Sequence, residues 1–159
     1  MSRGKKTTKI RYIAPDAILG SVDVAKFINY CMLNGKKTVA TRIVYNALNA
    51  VSEKLKIAPA DVLEIAVKNV APVLEVKGRR IGGANYQIPM EVSRTRRNTL
   101  AMKWIIASAR ASQGKPMHQL LALELENAYN NLGAAMKKRD EMHRMAEANK
   151  AFAHFARFS

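Results

Sequence analysis

This 159-residue sequence is poor in acidic residues. Only 12 Asp and Glu accompany 27 Lys and Arg, which gives a formal net charge of +15 and a pI near 10.3. Such an excess of one charge repels itself and lowers the stability of the folded state, so we expect a polyanionic partner that neutralises it. Nucleic acid is the first candidate for that partner, and a membrane surface is the second.

Long apolar runs are also missing. No run approaches the roughly 18–20 residues that a membrane-spanning helix needs. The basic start MSRGKKTTKIRYIAP leads into no apolar segment of the kind found in secretory signals. Cys31, the single cysteine, excludes an intramolecular disulfide, and its apolar neighbours FINYCML are typical of a small buried side chain. The sequence therefore predicts a soluble, cytoplasmic, globular protein.

Catalytic and metal-binding patterns are absent too. The three histidines and the cysteine fall in no metal-ligand spacing, and His143, four residues after Arg139, is predicted to lie on an exposed helix face. Glu124 and Glu126 point to nearly opposite sides of a helix, which disfavours a paired-carboxylate site. No phosphate-binding loop, nucleophile elbow or dinucleotide motif occurs. We therefore expect no enzyme activity, no cofactor and no metal.

Apolar residues repeat with the period of a helix along most of the chain. Val44, Leu48, Val51 and Leu55 are the clearest case, spaced i, i+4, i+7, i+11. The pattern predicts a mainly α domain of about six helices, at about 22–34, 38–55, 62–70, 93–110, 117–132 and 135–149. Gly133 is predicted to be the C′ residue that ends the fifth helix.

The period changes to two between the third and fourth helices. Alternation around Leu74 and Val76, and again from Tyr86 to Val92, predicts a projecting two-stranded antiparallel β-ribbon at about 72–92. A lone hairpin is marginally stable in water, so we expect its apolar face to lean on the helices. Positive φ values in the turn are assigned to Gly78, Gly82 and Gly83. The cations Lys77, Arg79 and Arg80 are predicted to form a tip held away from the body.

Cations concentrate around this ribbon. The segment from Lys77 to Lys115 contains nine basic residues and one acid, whereas a merely soluble surface would mix both signs. Arg96, Lys103 and Arg110 recur every seven residues and form one stripe on the fourth helix. Lys36 and Lys37 precede the second helix, at the end where the helix dipole favours an anion.

Shape and phosphate recognition of a folded RNA fits this distribution best. Aromatic residues are only 6% of the chain, and Tyr86 is the sole aromatic in the predicted hairpin, so base stacking on a sheet is not expected to dominate. A helical DNA-binding regulator is the main alternative, although no helix has the character of a recognition helix. A membrane-surface helix protein is the third reading. The predicted organisation is a flexible basic arm (1–15), a helical RNA-binding domain (16–150) and a tail (151–159) that cannot be assigned a position.

Long segments of the chain have a familiar order. GKKTVATRIVYNAL, NVAPVLEVKGRRIGGANYQIPMEV, RRNTLAMKW and KKRDEMHRMAEANKAFAH closely resemble the bacterial form of the universal small-subunit ribosomal protein seven family. The resemblance runs from about Pro15 to His154. The arm agrees in charge more than in letters, and the tail FARFS departs from the endings of the family.

The resemblance implies a primary binder of small-subunit ribosomal RNA that docks at a multihelix junction of the 3′ major domain and nucleates assembly of the subunit head. It implies a place near the subunit interface, with the ribbon approaching exit-site transfer RNA, and ribosomal proteins nine and eleven of the small subunit as neighbours. Some bacterial members also repress translation of their own operon through a messenger RNA site.

The resemblance also assigns residues to RNA contact. On matching positions these are Lys36, Lys37, Lys77, Arg79, Arg80, Arg94, Arg96 and Arg97. By charge alone, the arm adds Arg3, Lys5, Lys6, Lys9 and Arg11. Lys103 and Arg110 complete the set through the stripe. Met90 and Trp104 are predicted to be core residues, and Gly82 and Gly83 to let the ribbon turn.

Overall fold

The computed structural model describes residues 12–157 and confirms a mainly helical fold with a two-stranded antiparallel ribbon between the third and fourth helices. The elements in chain order are α1 (Val22–Cys31), α2 (Lys37–Leu55), α3 (Pro59–Val70), β1 (Leu74–Ile81), β2 (Ala84–Glu91), α4 (Arg94–Ala111), α5 (Met117–Tyr129), α6 (Ala134–Ala148) and a C-terminal 3₁₀-helix (Lys150–Arg157).

Apolar stripes of the helices meet in one core. On α2, Val44, Leu48 and Val51 are fully buried, as their spacing predicts. They lie in the same cluster as Leu121 and Leu125 of α5, and α2 packs directly on α5. Trp104 of α4 is also buried in this cluster, which confirms its prediction as a core residue.

The end of α5 differs from the prediction. The helix ends in a Schellman motif in which Asn131 takes the left-handed conformation (φ 60°) and Leu132 N–H donates to the carbonyl of Asn127 at 2.8 Å. Asn131 therefore occupies the C′ position that was predicted for Gly133. Gly133 instead precedes α6 as its N-cap with φ 94°, and a Cβ built there would lie 2.9 Å from Cβ of Asn127.

The ribbon turns through two residues. Ile81 pairs with Ala84, and Gly82 and Gly83 have φ values of 56° and 90°, as a type I′ turn requires. The prediction that Gly78 belongs to the turn is wrong, because Gly78 lies inside β1 opposite Gln87. As a glycine it leaves one side-chain position of the strand empty, and it is not one of the turn residues.

The prediction of one shared apolar face is also wrong. Residues directly opposite each other in an antiparallel pair lie on the same face. Glu75 is opposite Met90 and Lys77 is opposite Ile88, whereas Val76 is opposite Pro89. Leu74 and Val76 of β1 and the apolar even-numbered residues of β2 therefore lie on opposite faces, and a glutamate occupies the β1 position beside Met90.

Pro89 is compatible with a strand because of this register. Val92 N–H donates to the carbonyl of Val73 at 3.1 Å, so these two residues form a hydrogen-bonded pair. Hydrogen-bonded and non-hydrogen-bonded pairs alternate along an antiparallel ladder. The pair of Val76 and Pro89 is consequently a non-hydrogen-bonded one, where the missing N–H of proline costs no ladder bond.

The C-terminal 3₁₀-helix packs on β2. The ring of Tyr86 lies with its centroid 5.2 Å from that of Phe152 and 5.7 Å from that of Phe155. The tail, to which the sequence assigned no position, therefore contacts the ribbon at the residue opposite Arg79. The tail covers one strand and gives the ribbon a second support beside α6.

Candidate nucleic-acid interface

Lys36, just before α2, and Lys37, the first residue of α2, are both exposed to solvent. Lys36 is the N-cap of α2, and among the described residues no side chain caps this helix end and no acid lies in its first turn. Helix N-termini of this kind favour negative charge. Both lysines are therefore exposed at a helix end that favours an anion, and α2 begins at Lys37, one residue earlier than predicted.

Lys37 also acts within the protein. Asp16 accepts hydrogen bonds from the Leu19 N–H at 3.0 Å and from the Tyr45 hydroxyl at 2.7 Å. Burial raises the pKa of Asp16, but these bonds and the charge of Lys37 outweigh it and lower the pKa below its ordinary value. Burial and the bond to Asp16 raise the pKa of Tyr45 to about 12. The segment before α1 is therefore tied to α2 beside the exposed lysines.

The start of α4 is a second cationic helix end. Arg94, Arg96 and Arg97 occupy its first turn, where the described structure contains no acid and no side-chain cap. Arg94 is exposed. Arg97 donates through Nε to the carbonyl of Pro72 at 3.1 Å, which fixes α4 against the chain that leads into β1.

Glu75 joins the ribbon to this cluster. Its carboxylate lies 3.0 Å from Nζ of Lys77 and 3.2 Å from Nε of Arg96, and only 7% of the residue is exposed. Burial raises the pKa of Glu75, but the hydrogen bonds from Lys77 and Arg96 outweigh it, so the pKa lies below its ordinary value. About half of each cationic side chain remains exposed (53% and 50%), so both can still meet a phosphate.

The remaining ribbon cations lie along β1. Arg79 is opposite Tyr86 and half-buried, and Arg80 is opposite Asn85 and exposed. Neighbouring residues on a strand point to opposite faces, so Lys77 and Arg79 share one face and Arg80 lies on the other. The predicted cationic tip is corrected accordingly: the charges line the strand, and the turn itself is Gly82-Gly83.

The predicted stripe on α4 is exposed along its length, at Arg96, Lys103 and Arg110. Lys103 lies over the ring of Tyr30, with Nζ 5.6 Å from the centroid. Arg110 donates through Nη2 to the carbonyl of Cys31 at 3.0 Å. Lys103 and Arg110 are therefore positioned by α1 and still face solvent, whereas Arg96 is held by Glu75 of β1.

The structure brings some of the predicted residues together. Lys77 and Arg96 meet at Glu75, Arg94 and Arg97 line one pocket beside Val73, and Lys36 and Arg110, 74 residues apart in sequence, line one groove. The arm residues Arg3, Lys5, Lys6, Lys9 and Arg11 lie outside the described residues.

Three features of this region were missed from the sequence. The aromatic spacing in FAHF could have suggested that the tail rings pack on another ring, but the sequence does not show that this ring is Tyr86. The buried Glu75 needs the register of the ribbon to be recognised. His143 was predicted to be exposed, but it is half-buried and its Nε2 accepts the Val73 N–H at 3.0 Å.

A metal centre and a membrane-spanning helix are both absent from the described residues. Within 12–157, no group of three or more His, Cys, Asp and Glu side chains is arranged to hold a metal ion. Over this same range, each helix is too short or too polar to traverse a lipid bilayer.

Known proteins resemble the chain over nearly its whole length. The family described as ribosomal protein S7p/S5e matches residues 2–150. The small ribosomal subunit protein uS7 of Thermotoga neapolitana is 52% identical over 151 residues, which cover 95% of this chain and 97% of that protein. The protein of the same name from Dictyoglomus turgidum is 57% identical over 145 residues (91% and 93%), and that from Herpetosiphon aurantiacus is 48% identical over 158 residues (99% and 100%).

This similarity decides between the three functions that the sequence pattern alone left open. A DNA-binding regulator or a membrane-surface protein would not share half of its residues with small-subunit ribosomal proteins along their full length. The cationic surfaces therefore belong to a ribosomal component, whose partners are ribosomal RNA and other ribosomal proteins. The chain belongs to the ribosomal protein S7p/S5e family and is a structural, non-enzymatic protein of the small ribosomal subunit.

Proposed function

We propose that this protein is a primary binder of small-subunit ribosomal RNA, docking at a multihelix junction of the 3′ major domain and nucleating assembly of the subunit head. The observation that carries the proposal is the pair of cationic helix starts, at α2 and α4, whose first turns hold lysine or arginine and no acid among the described residues. Phosphates of a compact RNA supply the anions that these helix ends favour.

The ribbon extends the same surface. Lys77 and Arg96 are each half exposed while they hold Glu75, and Arg80 is exposed further along β1. In the proposed arrangement the α4 start and the base of the ribbon contact ribosomal RNA, and the outer ribbon approaches exit-site transfer RNA near the subunit interface. The arm (1–15) would order on the RNA, since coupled ordering suits a basic segment poor in apolar residues.

Two further parts of the proposal concern partners. Ribosomal proteins nine and eleven of the small subunit are the proposed neighbours in the head. Repression of the protein's own operon is included because a messenger RNA that imitates the junction would meet the same cations. Both rest on the family resemblance together with the surfaces described above.

A salt titration tests the RNA contact. Binding to a transcript of the 3′ major domain that neutralises about eight phosphates should give a slope of roughly −6 to −7 in log affinity against log salt. Replacing Arg96 and Arg97 by Ala together should make that slope shallower by about one to two units. The matched control is Lys138→Ala, which removes an exposed cation of α6 outside the proposed interface and should leave the slope unchanged.

Competitor RNAs complete the test. Folded 3′ major domain RNA should displace the labelled transcript far better than duplex DNA or heparin at equal salt. Equal displacement by all three polyanions would contradict the proposal, because it would reduce the surface to a non-specific cation patch. An unchanged slope in the arginine variant would remove those two residues from the contact.

A further inference from the structure

The tail and the outer ribbon meet on one face of the ribbon. Tyr86 of β2 is opposite Arg79 of β1, so both side chains lie on the same face, and Lys77 joins them two residues along β1. The rings of Phe152 and Phe155 in the C-terminal 3₁₀-helix contact Tyr86, with centroids 5.2 Å and 5.7 Å from that of the tyrosine. The tail therefore lies against the ribbon face that carries two of the cations assigned to RNA contact.

Aromatic contacts hold the tail at this place. The hydrogen bonds of the tail are internal: the Phe152 N–H donates to the carbonyl of Asn149 at 2.9 Å, and Nδ1 of His154 lies 2.8 Å from the carbonyl oxygen of Ala151. In the part of the chain that the structure describes, no hydrogen bond or ion pair joins the tail to the ribbon. A 3₁₀-helix of eight residues is also longer than usual, because its hydrogen-bond geometry is poorer than that of an α-helix. The attachment is therefore a weak one.

A cleft lies between the tail, α6 and the base of the ribbon. Its volume is about 570 Å³, and its walls include Pro89 of β2, Ala146 of α6 and Ala153 of the tail. The tail thus bridges open space between the end of α6 and the ring of Tyr86. Phe152 and Phe155 are only half-buried and lie outside the core cluster of the body. Lifting the tail from the ribbon would therefore break the ring contacts and leave the core intact.

We propose that the tail is an autoinhibitory cover of the ribbon: its rings occupy the face of Tyr86 in the free protein and leave that face when the ribbon binds RNA. The inference rests on the proposed RNA contact of the ribbon and adds a control on that contact. An aromatic ring beside cations binds single-stranded RNA of any sequence, since bases stack on the ring and phosphates meet the cations. Covering Tyr86 lowers such non-specific binding, while the cationic starts of α2 and α4 stay open to folded RNA.

Binding of a short oligouridylate, a single strand unrelated to the ribosomal junction, tests the cover. The double change Phe152→Ala and Phe155→Ala in the full chain should raise the affinity for this strand about tenfold, the contribution of one stacked base. The salt slope should stay the same because no charge changes. The direction is diagnostic, since losing two aromatic rings would otherwise remove places where bases stack. Unchanged or weaker binding would overturn the inference.

Tyr86 must carry the gain in affinity. Adding Tyr86→Ala to the double variant should return the affinity to that of the unchanged protein, whereas Tyr86→Phe, which keeps a ring, should retain the gain. A gain that survives Tyr86→Ala would contradict the cover, because the tail would then act elsewhere. The matched control is Leu123→Ala with Leu132→Ala, which truncates two side chains that are 48% and 62% exposed and should leave the affinity unaltered. Thermal unfolding of each variant checks the fold.

Hydrogen exchange gives a second readout on the unchanged protein. A saturating excess of the oligouridylate should lower the protection of the tail amides from Phe152 to Phe155, while the amides of α2 keep theirs. Tail protection that stays the same or rises in the complex would show that the tail remains on the ribbon and would overturn the inference. Failure of the unchanged protein to prefer folded 3′ major domain RNA over duplex DNA would overturn the proposed function itself, so the two failures are distinguishable.

Discussion

The helical body and the ribbon are stabilised by different interactions. In the body, side chains such as Leu48, Leu121 and Ile105 are fully buried among apolar neighbours. Burial of this kind does not depend on a partner, because it removes apolar surface from water in the isolated chain. The body is therefore expected to be folded before the protein meets RNA.

At the ribbon, polar contacts carry much of the attachment. Glu75 binds Lys77 and Arg96, Arg97 binds the carbonyl of Pro72, and His143 binds the N–H of Val73. Further out, Tyr86 contacts the rings of the tail. Ile88, Pro89 and Val92 are buried at the base of the ribbon, but a two-stranded ribbon is marginally stable, so the polar bonds add to this packing in fixing its position.

The difference shows that cations in this protein have two uses. Lys77 and Arg96 hold the ribbon to α4 through Glu75 while half of each side chain faces solvent. A phosphate arriving at the same place adds a second anion beside cations that already have a fixed geometry. Losing one of these residues should therefore affect both the position of the ribbon and the affinity for RNA, whereas losing Arg94 should affect affinity alone.

Gly83→Val is expected to have the largest effect on the stability of the ribbon relative to that of the helical body. Gly83 has φ 90°, a conformation that a β-branched residue adopts only with strain of about 1–3 kcal/mol. That strain exceeds what a marginal ribbon can absorb, so β1 and β2 should lose protection in hydrogen exchange. The amides of α2 and α5 should keep theirs.

Gly78→Ala is the control for that change. Gly78 lies in β1, outside the positive-φ region, and a Cβ built there meets no atom within 4 Å. The substitution should leave the protection of the ribbon the same or slightly raise it, because alanine restricts the unfolded chain. Equal loss in both variants would show that the ribbon depends on glycine content and not on the turn.

Sequence patterns predicted the body better than the ribbon for a physical reason. A helix shows its buried face within its own sequence, so Val44, Leu48 and Val51 could be assigned from spacing alone. The end of α5 needed more: Asn131 and Gly133 both tolerate positive φ, and a C′ glycine is the commoner choice. Only the close approach of Asn127 to Gly133 shows that Asn131 is the C′ residue of α5 and that Gly133 precedes α6.

Register and long-range partners could not be predicted. The alternation predicted for β1 and for β2 was correct within each strand. Which residues of the two strands share a face, however, depends on the length of the turn. Assigning Gly78 to the turn concealed the pairing of Glu75 with Met90. The cationic groups were recognisable as charge, whereas the groove between Lys36 and Arg110 arises from packing of distant segments.

Phe152→Ala should have a smaller effect, confined to the outer ribbon. Its ring lies 5.2 Å from that of Tyr86 and 6.5 Å from that of Phe155, and an aromatic pair contributes about 0.5–1.5 kcal/mol beyond its buried area. The exchange protection of β2 around Tyr86 should fall while that of α2 is kept. Phe152→Leu should restore part of it, and Leu132→Ala, an exposed apolar truncation away from the tail, should change neither region.

The smallest expected effect is a pH dependence at the base of the ribbon. Burial and the charges of Arg139 and Arg97 lower the pKa of His143 below 6.5, and Asp140 only partly opposes them. The neutral ring accepts the Val73 N–H through Nε2, whereas a protonated ring has no acceptor to offer. Because the folded pKa lies below the unfolded one, this contribution is fully present above about pH 6.5 and is lost as the pH falls through the folded pKa.

An NMR titration of the Val73 amide would measure this loss, which should be about 1 kcal/mol or less, the value of one hydrogen bond. His143→Gln should remove the dependence in that window, while His118→Gln on α5 should keep it. Glu75 titrates in a lower window: its contribution is present above about 4.5 and is lost as the pH falls through its lowered pKa. A single transition at the Glu75 window, with nothing near that of His143, would mean that the Val73 bond does not hold the ribbon and that the Glu75 cluster alone does.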